Sequence, residues 1–338
     1  MDLPIPATLA ERVATAPRLL NPDAARQRLD EWLDEISQTQ TAATLKRMLA
    51  ERPNVRTLLT GLADGSPYLW ELVCADPERL IGVLAADPDC RIKALIASAT
   101  AIATSEDEAM QRLRRMKAEG ALLIALADIG GAWPVTRVTQ ALTELADAAV
   151  ASAVRYLFAE AAERGRYHPA DPARPEAGSG YIVIAMGKMG SGELNYSSDI
   201  DLIVFYDAAV ATLAPGAEPS PFYVRLTQRL VKLLQERTAD GYVFRTDLRL
   251  RPDPGSTQIA VSTAAALDYY ESAGQNWERA AMIKARPCAG DIAAGEALLR
   301  SLSPFIWRKY LDFAAVADIH AMKRQIHAYR GQDRKSVV

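Results

Sequence analysis

The stretch GKMGSGELNYSSDIDLIVFYD, residues Gly187 to Asp207, decides how the chain is read. Ahead of it YIVIAM, residues 181–186, is short, apolar and β-branched, and DIDLIVFY, residues 199–206, repeats that character, so both are expected as strands. Side chains alternate across a strand, which sets Asp199 and Asp201 on one face and Ile200, Leu202 and Val204 on the other. Two carboxylates side by side repel, and the pKa of one rises unless a cation stands between them. A divalent metal with hard oxygen ligands is the usual remedy for a pair open to solvent, and Mg²⁺ fits that description. Taken alone, a D-x-D at a strand entrance reads as readily as a pair of turn formers.

The turn between the two strands contains Gly187, Gly190 and Gly192, with Lys188 and Ser191 among them. Glycines let backbone N–H groups approach a phosphate closely, and the ammonium and hydroxyl add donors, so Lys188, Gly190 and Ser191 are candidate phosphate contacts. The turn fits neither GxxxxGK followed by Ser or Thr nor a GxGxxG that opens a long helix. A third strand is expected over YVFRTDLRLR, residues 242–251, with Arg245, Asp247, Arg249 and Arg251 on one face. Tyr242, Phe244, Thr246, Leu248 and Leu250 fall on the other. The charged face is either solvated or functional; in the functional reading Asp247 is a third carboxylate and the guanidiniums match phosphate oxygens bidentately. Lys284 and Arg286 offer similar charge, with a solvated basic segment as the equal alternative. Trp277 and Glu278 in NWERAA read as structural.

Around this centre the rest of the chain is helical in pattern. Up to about Arg164, Asn21-Pro22, Ser66-Pro67, Asp76-Pro77 and Asp87-Pro88 each pair a capping side chain with a proline suited to the first turn. Leu29, Trp32, Leu33 and Ile36 fall on one face of a helix, Ser105 with Glu108 suggests a capping box, and Pro134 to Arg164 reads as one long helix that buries Val138, Leu142 and Leu145. The proline-rich GRYHPADPARPEAGSG that follows is a loop. Beyond the second strand ATLAPGAEPSP is another loop, and a helix with Leu226, Leu230, Leu233 and Leu234 on one side comes next. From Ser262 onward the pattern is helical again, with Asp268, Tyr269 and Tyr270 in one helix and His320, Met322 and Ile326 in another; the final GQDRKSVV has no packing logic. The expected division is a helical region over 1–119, a catalytic domain over 120–260 and a helical region over 261–338 that is cut short.

The 338 residues suffice for two or three packed units. With 39 Lys and Arg against 42 Asp and Glu, the net charge of −3 gives no broad positive field, which argues against a nucleic-acid partner. Three scattered cysteines form neither a disulfide framework nor a zinc site. The first twenty residues show no secretory signal, and no apolar run is long enough to span a bilayer, so a cytoplasmic location away from membranes is expected.

Strand, Gly-Ser turn, D-x-D on the next strand and an acidic residue on a third is the order of the nucleotidyltransferase superfamily, although Gly190-Ser191 lies slightly closer to Asp199 than is commonest there. At AMGKMGSGELNYSSDIDLIVFYD, YVFRTDLRLRP, WERAAMIKARP and SPYLWELVCADPERL the chain resembles the bifunctional glutamine synthetase adenylyltransferase/adenylyl-removing enzymes. The resemblance implies an α+β fold, a small mixed nucleotidyltransferase sheet with helices embedded between helical N-terminal and C-terminal regions. It implies a two-Mg²⁺ site on Asp199, Asp201 and Asp247; by physical argument, Arg249 and Arg251 would hold the nucleotide phosphates or the attacking phosphate. In that family one half removes AMP from glutamine synthetase by phosphorolysis, giving ADP, the other half adds it from ATP, and a PII signalling protein sets the balance. Asn195 and the Lys284-Ala285-Arg286 run look more like the removing half, so the chain reads as an N-terminal fragment with that chemistry. The family's Gly-rich, acidic continuation after a helix near His327 is missing. Adenylyl transfer from ATP, and a non-catalytic fragment that binds glutamine synthetase or PII, are the alternatives.

Overall fold

A computed structural model describes residues 7–210 and 212–307; His320, Met322, Ile326 and the GQDRKSVV end lie outside the described residues. Two compact units emerge. The first contains the described residues up to Ser152 together with 192–196 and 237–243, and the second contains 153–191, 197–236 and the described residues from Phe244 on.

Helices make up the first unit: α1 (Leu9–Arg12), α2 (Pro22–Glu35), α3 (Gln40–Glu51), α4 (Pro53–Gly65), α5 (Pro67–Ala75), α6 (Pro77–Leu84), α7 (Pro88–Ser98), α8 (Glu106–Ile129) and the first part of α9 (Val135–Glu163). The proline-marked starts form as the sequence predicts. Asn21, Ser66, Asp76 and Asp87 each accept a hydrogen bond from the backbone N–H three residues on, and a proline fills the first turn. At α8 only half of the expected capping box forms. Ser105 accepts from the Glu108 N–H, whereas the Glu108 carboxylate reaches one residue further back, to the N–H and hydroxyl of Thr104. Val138, Leu142 and Leu145 of α9 are buried, as their spacing requires.

The second unit carries the sheet. In order it comprises β1 (Tyr181–Ala185), α10 (Gly187–Gly190), β2 (Ile200–Tyr206), α11 (Pro219–Gln235), β3 (Thr246–Asp247), β4 (Ala260–Ser262), α12 (Thr263–Ser272), α13 (Asn276–Met282), β5 (Arg286–Gly290), α14 (Ile292–Ser301) and α15 (Ser303–Ile306). The sheet is mixed and five-stranded, ordered β3-β2-β1-β5, with β4 also on β2. β1 runs antiparallel to both β2 and β5, while β3 and β4 run parallel to β2 at different points along it. This is an α+β architecture.

β1 and β2 are buried along both faces, which is why they read as apolar runs without alternation. On one face Ile182, Ile184, Ile203 and Phe205 pack with Ala266, Tyr270, Met282, Leu298 and Phe305 from the C-terminal helices. On the other, the Tyr181 hydroxyl bonds Thr227 at 2.8 Å and Tyr206 stacks on Tyr223 with ring centroids 4.9 Å apart. Asp201 is the one residue of β2 that is not fully buried.

Two expectations are corrected here. The ten-residue strand over 242–251 is a strand only at Thr246–Asp247, because Ala260–Ser262 takes the later part of the same β2 edge and Pro252 and Pro254 end any extension. The segment after Ser262 is not helical throughout: Arg286–Gly290 forms β5, whose Pro287 would break a helix and whose Gly290, at φ +78°, has no room for a Cβ beside the Tyr181 carbonyl. The sheet therefore draws a strand from beyond residue 260. No helix of the described residues is long and apolar enough to cross a membrane.

Candidate active site

The three aspartates converge because two strand ends meet. Parallel pairing of β2 with β3 makes Asp201 and Asp247 direct register partners, and Asp199 stands just ahead of β2. Across this pair the Ile200 N–H donates to the Arg245 carbonyl at 2.9 Å, and on the β1 side the Met186 N–H donates to the Asp201 carbonyl at 2.9 Å. Asp201 shares its face with Ile203 and Phe205, so its carboxyl sits at the rim of an apolar layer. Burial, then the charges of Asp247 and Asp199, push that carboxyl up to about 6 against the smaller pull of Arg249 and Lys188. Asp247 is held below the usual carboxylate range, chiefly by its hydrogen bonds from Arg249.

Gly187 explains the first glycine of the turn. Its φ is +55°, and a Cβ there would lie 2.9 Å from Oδ2 of Asp201, so only glycine leaves that oxygen approachable from the turn. Gly190 serves packing instead, because a Cβ would meet the Lys284 carbonyl at 2.0 Å. The Ser191 hydroxyl donates to the Gly187 carbonyl at 3.1 Å, and the Lys284 ammonium stands 3.4 Å from the Ser191 Oγ. Arg286 donates to the carbonyls of Met189 at 3.1 Å and Gly190 at 3.4 Å. Lys188, Gly190, Ser191, Lys284 and Arg286 thus gather around α10, whose first residue abuts Asp201.

Arginines divide into two groups. Arg249 holds Asp247 with an 84% exposed side chain, and Arg245 donates from Nε to Asp199 at 2.5 Å. Arg251, expected to face phosphate, is turned into its own loop, donating to the carbonyls of Leu248 at 2.9 Å, Pro254 at 2.8 Å and Thr257 at 3.3 Å. The Arg245–Asp199 pair was not foreseen from sequence; the signal was present in the Arg-Asp-Arg-Arg alternation, but the partner depends on strand pairing. Glu278 is 2% exposed and accepts from the Gln275 N–H and the Tyr269 hydroxyl, a structural role in keeping with its sequence reading.

The donor set suits a hard divalent cation: three carboxylates, two of them in register, with a glycine cradle at Asp201. Among the described residues, no three His, Cys, Asp or Glu side chains stand so that they could hold a metal together, and Asp199 and Asp247 are engaged by arginines. The Arg245–Asp199 pair is about half exposed on both sides, whereas Arg249 is exposed and Asp247 largely buried.

Comparison with known proteins supplies the family. Over 335 residues the chain is 57% identical to the bifunctional glutamine synthetase adenylyltransferase/adenylyl-removing enzyme of Rhodopseudomonas palustris strain HaA2, covering 98% of this chain and 34% of that protein. The same enzyme of Bradyrhizobium diazoefficiens is 57% identical over 333 residues, covering 98% of this chain and 33% of the relative. That of Xanthobacter autotrophicus is 55% identical over 328 residues, covering 96% and 33%. The chain therefore spans about a third of the length of the curated relatives it matches. Residues 57–301, a span that takes in Asp199, Asp201, Asp247, Lys284 and Arg286 together, match the family described as glutamate-ammonia ligase adenylyltransferase, and the chain belongs to that family.

Proposed function

We propose that this chain carries the adenylyl-removing chemistry of its family: it takes AMP from an adenylylated tyrosine of glutamine synthetase and transfers it to inorganic phosphate. The observation that carries the reading is the register of Asp201 against Asp247, with Asp199 ahead of them and Gly187 leaving Asp201 open. An oxygen of hydrogen phosphate attacks the adenylyl phosphorus, the bond from phosphorus to the tyrosyl oxygen breaks, and that oxygen takes up the proton the phosphate gives up. Tyrosine is restored and ADP leaves, with the incoming phosphate as its β-phosphate.

Asp199, Asp201 and Asp247 would hold Mg²⁺, which when bound neutralises charge on the phosphoryl oxygens and orients the attacking and leaving oxygens. The cationic groups near α10, Lys188, Lys284 and Arg286, together with Ser191 and Gly190, supply charge and donors for the nucleotide or the attacking phosphate. Arg249, with its exposed side chain, can reach phosphate oxygens; Arg251 serves the same end by holding the loop after Asp247. The removing direction draws on Asn195 and the Lys284-Ala285-Arg286 run, which resemble that half of the family. Within this reading the chain works in the cytoplasm on glutamine synthetase, under a PII signalling protein.

Incubating the purified chain with adenylylated glutamine synthetase, Mg²⁺ and phosphate is expected to yield ADP. No ADP above an Asp199→Asn control would sink the proposal. Because the relatives are named for both activities, transfer from ATP is the second reading; pyrophosphate release with unmodified glutamine synthetase would favour it. Tight binding of glutamine synthetase or PII with no metal-dependent turnover would point instead to a non-catalytic module.

A further inference from the structure

Arg245 and Arg249 lie on the segment that carries Asp247, and each engages one of the three carboxylates. Arg245 donates from Nε to Oδ1 of Asp199 at 2.5 Å and from Nη2 to the Ser197 carbonyl at 2.8 Å. Asp247 is bound more fully. Its Oδ1 accepts from the backbone N–H of Arg249 at 2.8 Å and from Nε at 3.0 Å, and its Oδ2 accepts from Nε at 2.9 Å and Nη2 at 2.5 Å. An oxygen that accepts two donors has little lone-pair capacity left for a cation, so guanidinium and metal are alternatives at Asp247 and compete at Asp199.

We propose that Arg245 and Arg249 are internal counter-ions that compete with the divalent cation for Asp199 and Asp247, each releasing its carboxylate as the metal is taken up. The proposal rests on the reading that these aspartates hold Mg²⁺. The Arg245–Asp199 pair is placed for easy release, its side chains being 55% and 49% exposed, and such pairs are weak. Arg249 is 84% exposed but grips an Asp247 that is 17% exposed, so release there demands more of the metal. Release then frees two forked donors of the geometry that suits phosphate oxygens, so the arginines that guard the carboxylates become available to the substrate.

The test is calorimetric titration of Mn²⁺ alone into the full chain, with Arg245→Lys and Arg249→Lys as variants. Lysine keeps the positive charge but loses the planar fork, so a general field effect leaves Mn²⁺ affinity unchanged whereas competition predicts binding about two- to five-fold tighter. Asp201→Asn, which removes a ligand but neither arginine pair, is expected to abolish binding. Wild-type chain that binds no Mn²⁺, or an Asp201→Asn chain that binds it equally well, would overturn the metal reading itself. Wild-type binding that Asp201→Asn removes, with both lysine variants equal to or weaker than wild type, would leave the metal reading standing and overturn the competition. A second readout needs no variant: in arginine-labelled wild-type chain, saturating Mg²⁺ is expected to shift the Nε–Hε resonances of Arg245 and Arg249, and unmoved resonances at saturation contradict the exchange.

Discussion

β2 and the segment 242–251 bring the aspartates to the same place by opposite means. β2 is seven residues long, paired on both edges and buried on both faces, and Asp201 projects from a rigid element. The segment bearing Asp247 is paired over two residues, and its charged side chains are held by local bonds: Arg249 to Asp247, and Arg251 to three carbonyls of the following loop. Strand length is set by the free edge of a neighbour and not by alternation alone, and here Ala260–Ser262 has taken most of that edge. The site thus joins a fixed carboxylate to one carried on a loop that arginines organise.

Removing the fixed carboxylate has the largest expected effect. If the proposed chemistry holds, Asp201→Asn is expected to lower phosphorolysis at least about 10³-fold, because the charge stabilisation that a metal held there would supply in the transition state is lost; ADP formation at saturating substrate measures it, and a drop under tenfold would separate Asp201 from the chemistry. Core truncation comes next and separates the two regions directly. Phe205→Ala in β2 is expected to lower stability by about 3 kcal/mol and Leu250→Ala by about 1 kcal/mol, since Phe205 is wholly buried and Leu250 only partly. Urea unfolding reads the difference, and equal losses would erase the contrast drawn here. Arg251→Gln removes the loop's carbonyl ligand and is expected to cost about 2 kcal/mol together with a loss of turnover; a stable variant with a raised KM alone would return Arg251 to phosphate binding.

The smallest effect is a dependence on pH. Asp201 titrates near 6 in the fold, raised by burial and then by Asp247 and Asp199, against about 3.9 in an unfolded chain. The folded chain binds this proton more tightly than the unfolded one, so its contribution to stability is full below about pH 4 and is lost as the pH rises through 6. In chelator, Asp201→Asn is therefore expected to be more stable than wild type at pH 7.5 by about 1 kcal/mol, a figure reduced for solvent screening of a partly exposed carboxyl, and equal to it at pH 4. Thermal unfolding at the two pH values measures the gain; a variant less stable than wild type at pH 7.5 would contradict the crowding of charge at Asp201.

Local signals carried most of what the sequence revealed. Helix starts at Asn21, Ser66, Asp76 and Asp87 are written in adjacent residues, and β1 and β2 in short β-branched runs, so all of them formed where expected. Asp247 was legible as a third carboxylate from the alternation of residues 242–251, but its register opposite Asp201 was not. What stayed hidden depends on distant partners. Nothing near Arg286 announces that β1 has an open edge for it, and nothing in YVFRTDLRLR says that residues 260–262 compete for β2. Arg251 and Arg249 are indistinguishable in the alternation, yet one faces carbonyls of its own loop and the other faces solvent and Asp247. The cradle at Gly187 was visible only as a glycine after a strand, because its meaning depends on the Asp201 oxygen across the turn.

The fate of labelled phosphate tests the central claim most directly. With adenylylated glutamine synthetase, Mg²⁺ and ³²P-phosphate, the proposed chemistry puts the label into the β-phosphate of ADP, one for each tyrosine restored, and none of it when Asp201 is asparagine. Release of AMP without label, or pyrophosphate from ATP with unmodified glutamine synthetase and no labelled ADP, would contradict it.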